Sequence, residues 1–366
     1  MPRNRIHPGA VALMTLFGLA GVLCASSATA TESGRGGGSR NGKFRIAWTH
    51  SSGPSWANGE VFVMNDDGSE PRNLSRHPAH ESEPAWSPDG RKVAFLSRRD
   101  GGQEIYVVNA DGSGLRRLTR SPNRELGPAW SPDGRKIAFR RAKMATVELY
   151  VMNADGSGQR RLTDTKAAWS PGGGNPWSPD GRMLAFSSKR DGNWDLHVIN
   201  ADGSGQRNLT RNPAREWFRT WLPGGRILFS SDRDSNSDFY VIDADGSGLR
   251  NLSRDWGRAV SRGPWPWAVF SPSGEKAALI FARSLYVMNA DGGGRRKLAD
   301  AVQYDIAPVW SPDGRRIAFE KPLGSWERGS REIFVVNTDG SGLQRLTRRP
   351  GHDDGPVWSP AIATRG

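Results

Sequence analysis

The chain has 366 residues, of which 24% are charged and 36% hydrophobic, with 15 Trp, one Cys and a formal net charge of +13. That length suits two or three ordinary domains of roughly 100–200 residues each, or one large all-β body. A single cysteine excludes a disulfide scaffold and a cysteine-rich metal fold. No apolar run reaches the ~18 residues of a membrane helix, which argues against a multi-spanning membrane protein.

In chain order, the first 30 residues read as an export signal. Arg3 and Arg5 give a positive start, Ala10 to Leu23 is mostly apolar, and Ala28-Thr29-Ala30 is a small-x-small cleavage site. Leu23 before Cys24 is too bulky for lipoprotein processing, so cleavage is expected after Ala30. The mature chain then keeps no cysteine and is indifferent to the redox state of its destination. It is expected outside the cytoplasm, periplasmic or extracellular, with no integral membrane span. Residues 31–43, rich in Gly and charge, are expected to be a flexible tether.

From residue 44 to 366 one unit repeats. Trp-Ser-Pro-Asp-Gly occurs at Trp86, Trp130, Trp177 and Trp310, with degenerate copies at Trp221 and Phe270 and a truncated one at Trp358. Asn/Asp-x-Asp-Gly starts at Asn65, Asn109, Asn153, Asn200, Asp243, Asn289 and Asn337, in steps of 43 to 48 residues. That step matches one four-stranded propeller blade. Ser-Pro-Asp-Gly suits a type I turn, and Asn-x-Asp-Gly a tight hairpin turn. The short runs between them, such as Lys92–Leu96 and Glu104–Val108, read as strands with one buried face. The Trp ending each inner strand is expected to fill the space between blades. In the fourth unit either Trp169 or Trp177 can take that place.

The first unit starts at Phe44 without an inner strand, and the chain ends with an inner strand around Trp358 that has no blade after it. The C-terminal strand therefore supplies the missing edge and closes the ring, which removes exposed sheet edges. The predicted fold is all-β, a seven-bladed β-propeller closed by the C-terminal strand.

The run Pro-x-Trp-Ser-Pro-Asp-Gly-Arg-x-x-Ala-Phe…Ile-Tyr-Val-x-Asn-x-Asp-Gly-Ser-Gly-x-x-x-Leu-Thr resembles the TolB-type, WD-like β-propeller repeat, from Phe44 to Pro360. The resemblance implies the fold and, more loosely, an envelope role. It extends to peptidases that carry such a propeller beside a hydrolase domain. The motif does not select a function, because propellers host many.

No Gly-x-Ser-x-Gly elbow, His-Glu-x-x-His or phosphate loop is present. The Asp-x-Asp-Gly turns place Gly too early for a calcium loop. An acid does lie five residues before the Trp at Glu81, Glu125, Glu216, Asp305 and Asp353, and Asp164 stands in the same relation to Trp169. Loops before inner strands open at one channel mouth, so these residues predict a ring of carboxylates there. The plainer alternative is that each acid caps amides of its own loop. The second-to-third-strand loops share that face and are basic, at Arg98-Arg99, Arg140-Arg141, Lys189-Arg190, Arg233, Arg283, Lys321 and Arg328. His77, His80 and His352 precede the inner strands of neighbouring blades and form a weaker candidate metal set. Some seven-bladed pectin-fragment lyases hold a metal with channel histidines.

The expectation is an exported, non-catalytic scaffold without cofactor that binds an envelope protein, peptide or acidic polymer at one face. The alternative is a metal-dependent polysaccharide lyase or hydrolase, with a divalent metal at the channel mouth. The pI near 10.4 suits acidic polymers. Nucleic acid is not expected, since no binding module is recognisable.

Overall fold

The computed structural model describes residues 44–361, except 54–57, 145, 165–173, 235–236, 255, 257–266, 301, 303–306 and 325–329. The export signal (1–30), the tether (31–43), Trp169, Asp305 and Arg328 lie outside the described residues.

The second unit shows how the repeat folds. Strands Glu81–Trp86, Lys92–Ser97, Glu104–Asn109 and Arg116–Arg117 pair in that order as an antiparallel sheet. The Ser-Pro-Asp-Gly turn closes by Gly90 N–H donating to the Ser87 carbonyl at 2.9 Å, while Ser87 Oγ donates to Asp89 Oδ1 at 2.6 Å. At the next hairpin Gly112 N–H donates to the Asn109 carbonyl at 2.8 Å. Gly112 has a φ of 87°, a left-handed conformation that disfavours any residue with a Cβ.

The second and third strands are buried on both faces rather than one. Val93 and Phe95 pack against Ala47 and Val63 of the first unit, and Ala94 and Leu96 against Ile137 and Phe139 of the third. Each sheet is clamped between two neighbours, so its alternating side chains all meet apolar surface.

Among the described residues, six indoles join the sheets. The Trp86 Nε1–H donates to the Val357 carbonyl, Trp130 to Ala85, Trp177 to Ala129, Trp221 to Pro176, Trp310 to Val269 and Trp358 to Val309, at 2.8–3.2 Å. In each case the acceptor is the residue just before the aromatic that ends the preceding inner strand. Trp177, with 1% exposure, fills this position in the fourth unit. Among the described residues, that unit's inner strand contributes a single bridge from Trp177 to Leu184 beside a three-stranded sheet.

The molecule is an all-β propeller, but the expected count of seven blades needs correction. Among the described residues, five blades stand as separate sheets, and the units at the two chain ends share one eight-stranded sheet. The cause is the strand His352–Trp358. It pairs antiparallel with Arg45–Ser51 from Ile46↔Trp358 to Ser51↔His352, and its first residue also bridges Arg331 in parallel. Phe44, Ile46 and Trp48 pack there against Val309, Ala318 and Ile333, across the two ends of the chain.

Candidate functional site

Four of the five carboxylates expected at the channel mouth are described, and all four are 0% exposed. Each lies near the start of an inner strand, opposite the end of a second strand. Glu81 pairs in register with Ser97, Glu125 with Arg141, Glu216 with Ser231 and Asp353 with His50. A register shift follows each acid. Positive φ values at Glu83 (52°), Gly127 (56°) and Gly355 (62°) mark it in three of them.

The partners come from the acid's own blade. Ser97 Oγ donates to Glu81 Oε1 at 2.9 Å and Arg99 Nη2 to Oε2 at 3.0 Å. Arg141 donates from Nε and Nη2 to Glu125 Oε1 at 2.9 and 2.7 Å. Ser231 Oγ donates to Glu216 Oε1 at 3.0 Å, and Arg233 donates to the same oxygen. Each guanidinium also lies over a tyrosine ring, Arg99 at 4.9 Å from Tyr106, Arg141 at 4.4 Å from Tyr150 and Arg233 at 4.7 Å from Tyr240. In the first unit, Trp48 Nε1–H donates to Asp353 Oδ1 at 2.7 Å, and His50 Nδ1 sits 2.8 Å from the same oxygen. Asp164 follows the pattern more loosely, with Arg190 at 3.4 Å and both side chains partly exposed.

Burial pushes Glu81 and Glu125 up to about 7, against the pull of Arg99 and Arg141. Glu216 is also raised by burial. Among the described residues, each of these carboxylates is tied to its own blade and none is hydrogen-bonded to another.

The described loop cations divide into two sets, apart from Lys321, which is half-buried with its Nζ 5.7 Å from the Phe334 ring. Arg99, Arg141 and Arg233 turn inward onto the acids, and Arg140 is buried. Arg98, Lys189, Arg190 and Arg283 stay exposed, joined on the same face by Arg76, Arg120, Arg124, Arg211 and Arg215. The exposed charge of this face is predominantly basic, with Asp100, Asp191, Asp232 and Asp234 exposed on the same loops, while Glu81, Glu125, Glu216 and Asp353 lie beneath.

The three candidate histidines gather around the end of the first unit's hairpin. His77 Nδ1 lies 3.9 Å from Glu81 Oε1, His80 Nδ1 accepts from Gly59 N–H at 3.4 Å, and His352 pairs with Ser51. Burial lowers the pKa of His80 and His352, and His352 Nδ1 is buried without a hydrogen-bond partner. These three imidazoles are not within common ligating distance of one another among the described residues.

Sequence reasoning missed a further set of charges, on the inner two strands of the units. Gly127 N–H donates to Glu83 Oε2 at 2.8 Å, and Gly355 N–H to Glu320 Oε1 at 2.7 Å. Both contacts cross from one unit to the next. Burial raises Glu83 and Glu320, and Asp354 beside Glu320 raises it further. Arg219 donates to Ser230 Oγ at 3.0 Å and is pushed down to about 10 by burial. Glu83 and Arg219 sit two and three residues after predicted acids, so their offset from Glu81 and Glu216 was the available signal.

Three solved structures share this fold. TolB from Acinetobacter baumannii is 19% identical with a TM-score of 0.55, over 87% of this chain and 67% of that one. An oligogalacturonate lyase from Vibrio parahaemolyticus is 15% identical with a TM-score of 0.56, over 72% and 76%. A puromycin hydrolase is 16% identical with a TM-score of 0.64, over 90% of this chain but only 57% of its own. The sequence finds no match among curated proteins. The family profile described as TolB beta propeller domain matches residues 47–173 and 172–280, which is most of the repeat region. With the repeat, the hairpin turns and the inter-blade indoles all in place, the chain belongs to the TolB β-propeller family.

Proposed function

We propose that this chain is an exported, non-catalytic propeller scaffold whose basic face binds an acidic protein segment, peptide or envelope polymer. The observation that carries this reading is the division of charge on that face. The carboxylates at Glu81, Glu125, Glu216 and Asp353 are buried against partners of their own blades, while cations such as Arg98, Lys189, Arg190 and Arg211 remain exposed. A ligand approaching from solvent meets more exposed cations than exposed carboxylates. We count the eight-stranded sheet as two blades, giving seven in the ring, because the indole bonds step from unit to unit through both of its halves.

The test uses the mature chain with polygalacturonate and a poly-glutamate peptide as probes. Binding that weakens with salt, and is lost when Arg98, Lys189, Arg190 and Arg211 are all changed to Ser, is the expected result. No binding at low salt, or equal binding by the variant, refutes the reading. A metal-dependent lyase or hydrolase at the channel mouth is the second reading, favoured by the buried, unpartnered His352 Nδ1. Turnover of acidic oligosaccharides that disappears with chelator establishes it.

A further inference from the structure

A second cluster of chemistry sits in the fourth unit, away from the candidate histidines. Strand Asp195–Asn200 pairs with Met183–Ser188 so that His197 faces Phe186, and Asn208 of the outer strand lies opposite His197. The His197 ring stacks on Phe186 at 5.6 Å and is 2% exposed. Neither ring nitrogen has a hydrogen-bond partner. Its Nε2 points toward Asp191, 3.9 Å from Oδ2. Ligand atoms of Asp191, Asp195 and His197 all lie within 4.8 Å of one another.

The repeat supplies internal controls. In the fifth unit the same places hold Asp234, Asp238, Tyr240 and Asn251, and in the second Asp100, Glu104, Tyr106 and Arg117. There the tyrosine hydroxyl reaches across and donates to Asp234 or Asp100. Imidazole is shorter than phenol, so His197 leaves a gap too long for a hydrogen bond. The gap is about twice a metal–ligand bond of ~2.0–2.1 Å. Arg117 of the second unit pairs with both acids, whereas Asn208 brings no charge to the fourth. We propose that Asp191, Asp195 and His197 bind a divalent transition metal of the zinc class.

The donor set fits that ion. One imidazole with two carboxylates suits zinc and its neighbours better than calcium or magnesium, which take oxygen ligands. Two carboxylates balance the charge of a divalent ion. Asn208 Nδ2 donates to Asp191 Oδ2 at 3.0 Å and to Asp195 Oδ2 at 2.7 Å, and Asn212 N–H to Asp195 Oδ1 at 3.4 Å. These bonds hold both carboxylates in place, as outer-shell partners of metal ligands do. Arg190, the cation whose charge acts on His197, pairs with Asp164. The Asp191 side chain is 50% exposed, so the ion has a path in and room to keep water on its open side.

The test is titration of chelator-stripped mature protein with Zn2+ by calorimetry, and with Co2+ by its visible absorption. His197→Tyr copies the fifth unit and is expected to keep the fold, checked by its melting curve. Asp191→Asn, at a half-exposed position, is a second variant that retains the strand contacts. The expected result is one equivalent bound in the micromolar range or tighter, weakened about tenfold or more in both variants. No uptake by the parent protein, or unchanged uptake in either variant, overturns the proposal. So does binding that survives His197→Tyr but is lost in His352→Ala, which places the ion at the channel mouth instead.

Discussion

Replacing Glu125 by Gln separates two accounts of the buried carboxylates. In one, the acid is held neutral by burial; in the other, it is a standing ion pair with Arg141. Burial raises Glu125 from 4.5 to about 7, opposed by hydrogen bonds and charge from Arg141 and assisted by the charge of Glu104. At ~1.36 kcal/mol per pH unit, that difference between folded and unfolded chain is worth about 3 kcal/mol. The folded state holds the proton more tightly than the unfolded state. Its contribution to stability is therefore complete below pH 4.5 and is lost as the pH rises through 7.

The parent's pH profile does not isolate this effect. His80, His197 and His352 have lowered pKa values, so their contribution is present above 6.5 and lost as pH falls. The two trends overlap with opposite sign. The difference between Glu125→Gln and the parent cancels the histidines and leaves the carboxyl, because Gln copies its neutral form. Urea unfolding from pH 4.5 to 8 should show the variant gaining about 3 kcal/mol on the parent across that range. A flat or falling difference refutes the reasoning. It means that Glu125 is ionised throughout and its bond to Arg141 outweighs the cost of burial. The functional consequence is direct, since an acid half-neutral at pH 7 is a poor anchor for a cation or a basic segment. The exposed cations of the same face are then its active charges.

Two further outcomes concern ring closure. Trp358→Phe removes the bond to the Val309 carbonyl and weakens the stacking of Arg316, 4.9 Å above the indole. With the small cavity added, it should cost about 2–4 kcal/mol in urea unfolding, and a loss below about 1 kcal/mol refutes the closing role of this indole. Truncation after Leu346 removes the strand paired with Arg45–Ser51 and should abolish the cooperative melt of the full chain, whereas an unchanged melting temperature shows that this strand does not hold the ends together.

The parts legible in the sequence are those encoded locally. Asp89 with Gly90 and Asn109 with Gly112 specify their turns within four or five residues, and the loose ends at Phe44 and Trp358 foretold the pairing of the C-terminal strand with Arg45–Ser51. The fused end sheet was not legible, because the bridge from His352 to Arg331 depends on how two units dock. The partners of the acids were missed for a related reason. Glu81 and Arg99 are far apart in sequence, and the bulge at Glu83 sets which second-strand residue the acid faces. The loop arginines were read as one basic rim, although Arg99, Arg141 and Arg233 each carry a nearby tyrosine that draws the guanidinium inward. His197 was visible as the residue standing where Tyr106 and Tyr240 stand in other units. Its meaning depends on the third strand's register with Asn208 and on the position of Asp191.

The repeat also makes a prediction that simple averaging over units gets wrong. Six inner strands end in Trp and one in Phe270, so a consensus argument holds that Phe270→Trp restores a missing indole bond and stabilises the ring. The packing argues otherwise. Phe270 is 5% exposed and its ring already meets Trp256 at 6.1 Å and Phe239 at 6.4 Å. Trp256 comes from the preceding outer-strand loop, donates to the Ala290 carbonyl at 3.4 Å, and packs in the same core cluster that a larger ring at 270 has to enter. An added hydrogen bond is worth about 1 kcal/mol, while forcing a larger ring into a packed core costs roughly 1–3 kcal/mol. Phe270→Trp should therefore lower stability by about 1 kcal/mol, and adding Trp256→Leu to make room should recover part of that loss. Urea unfolding of the single and double variants reads both numbers. A single variant more stable than the parent refutes the view that Trp256 crowds a larger ring at 270, and shows that the sixth unit tolerates the same inter-blade bond as the rest.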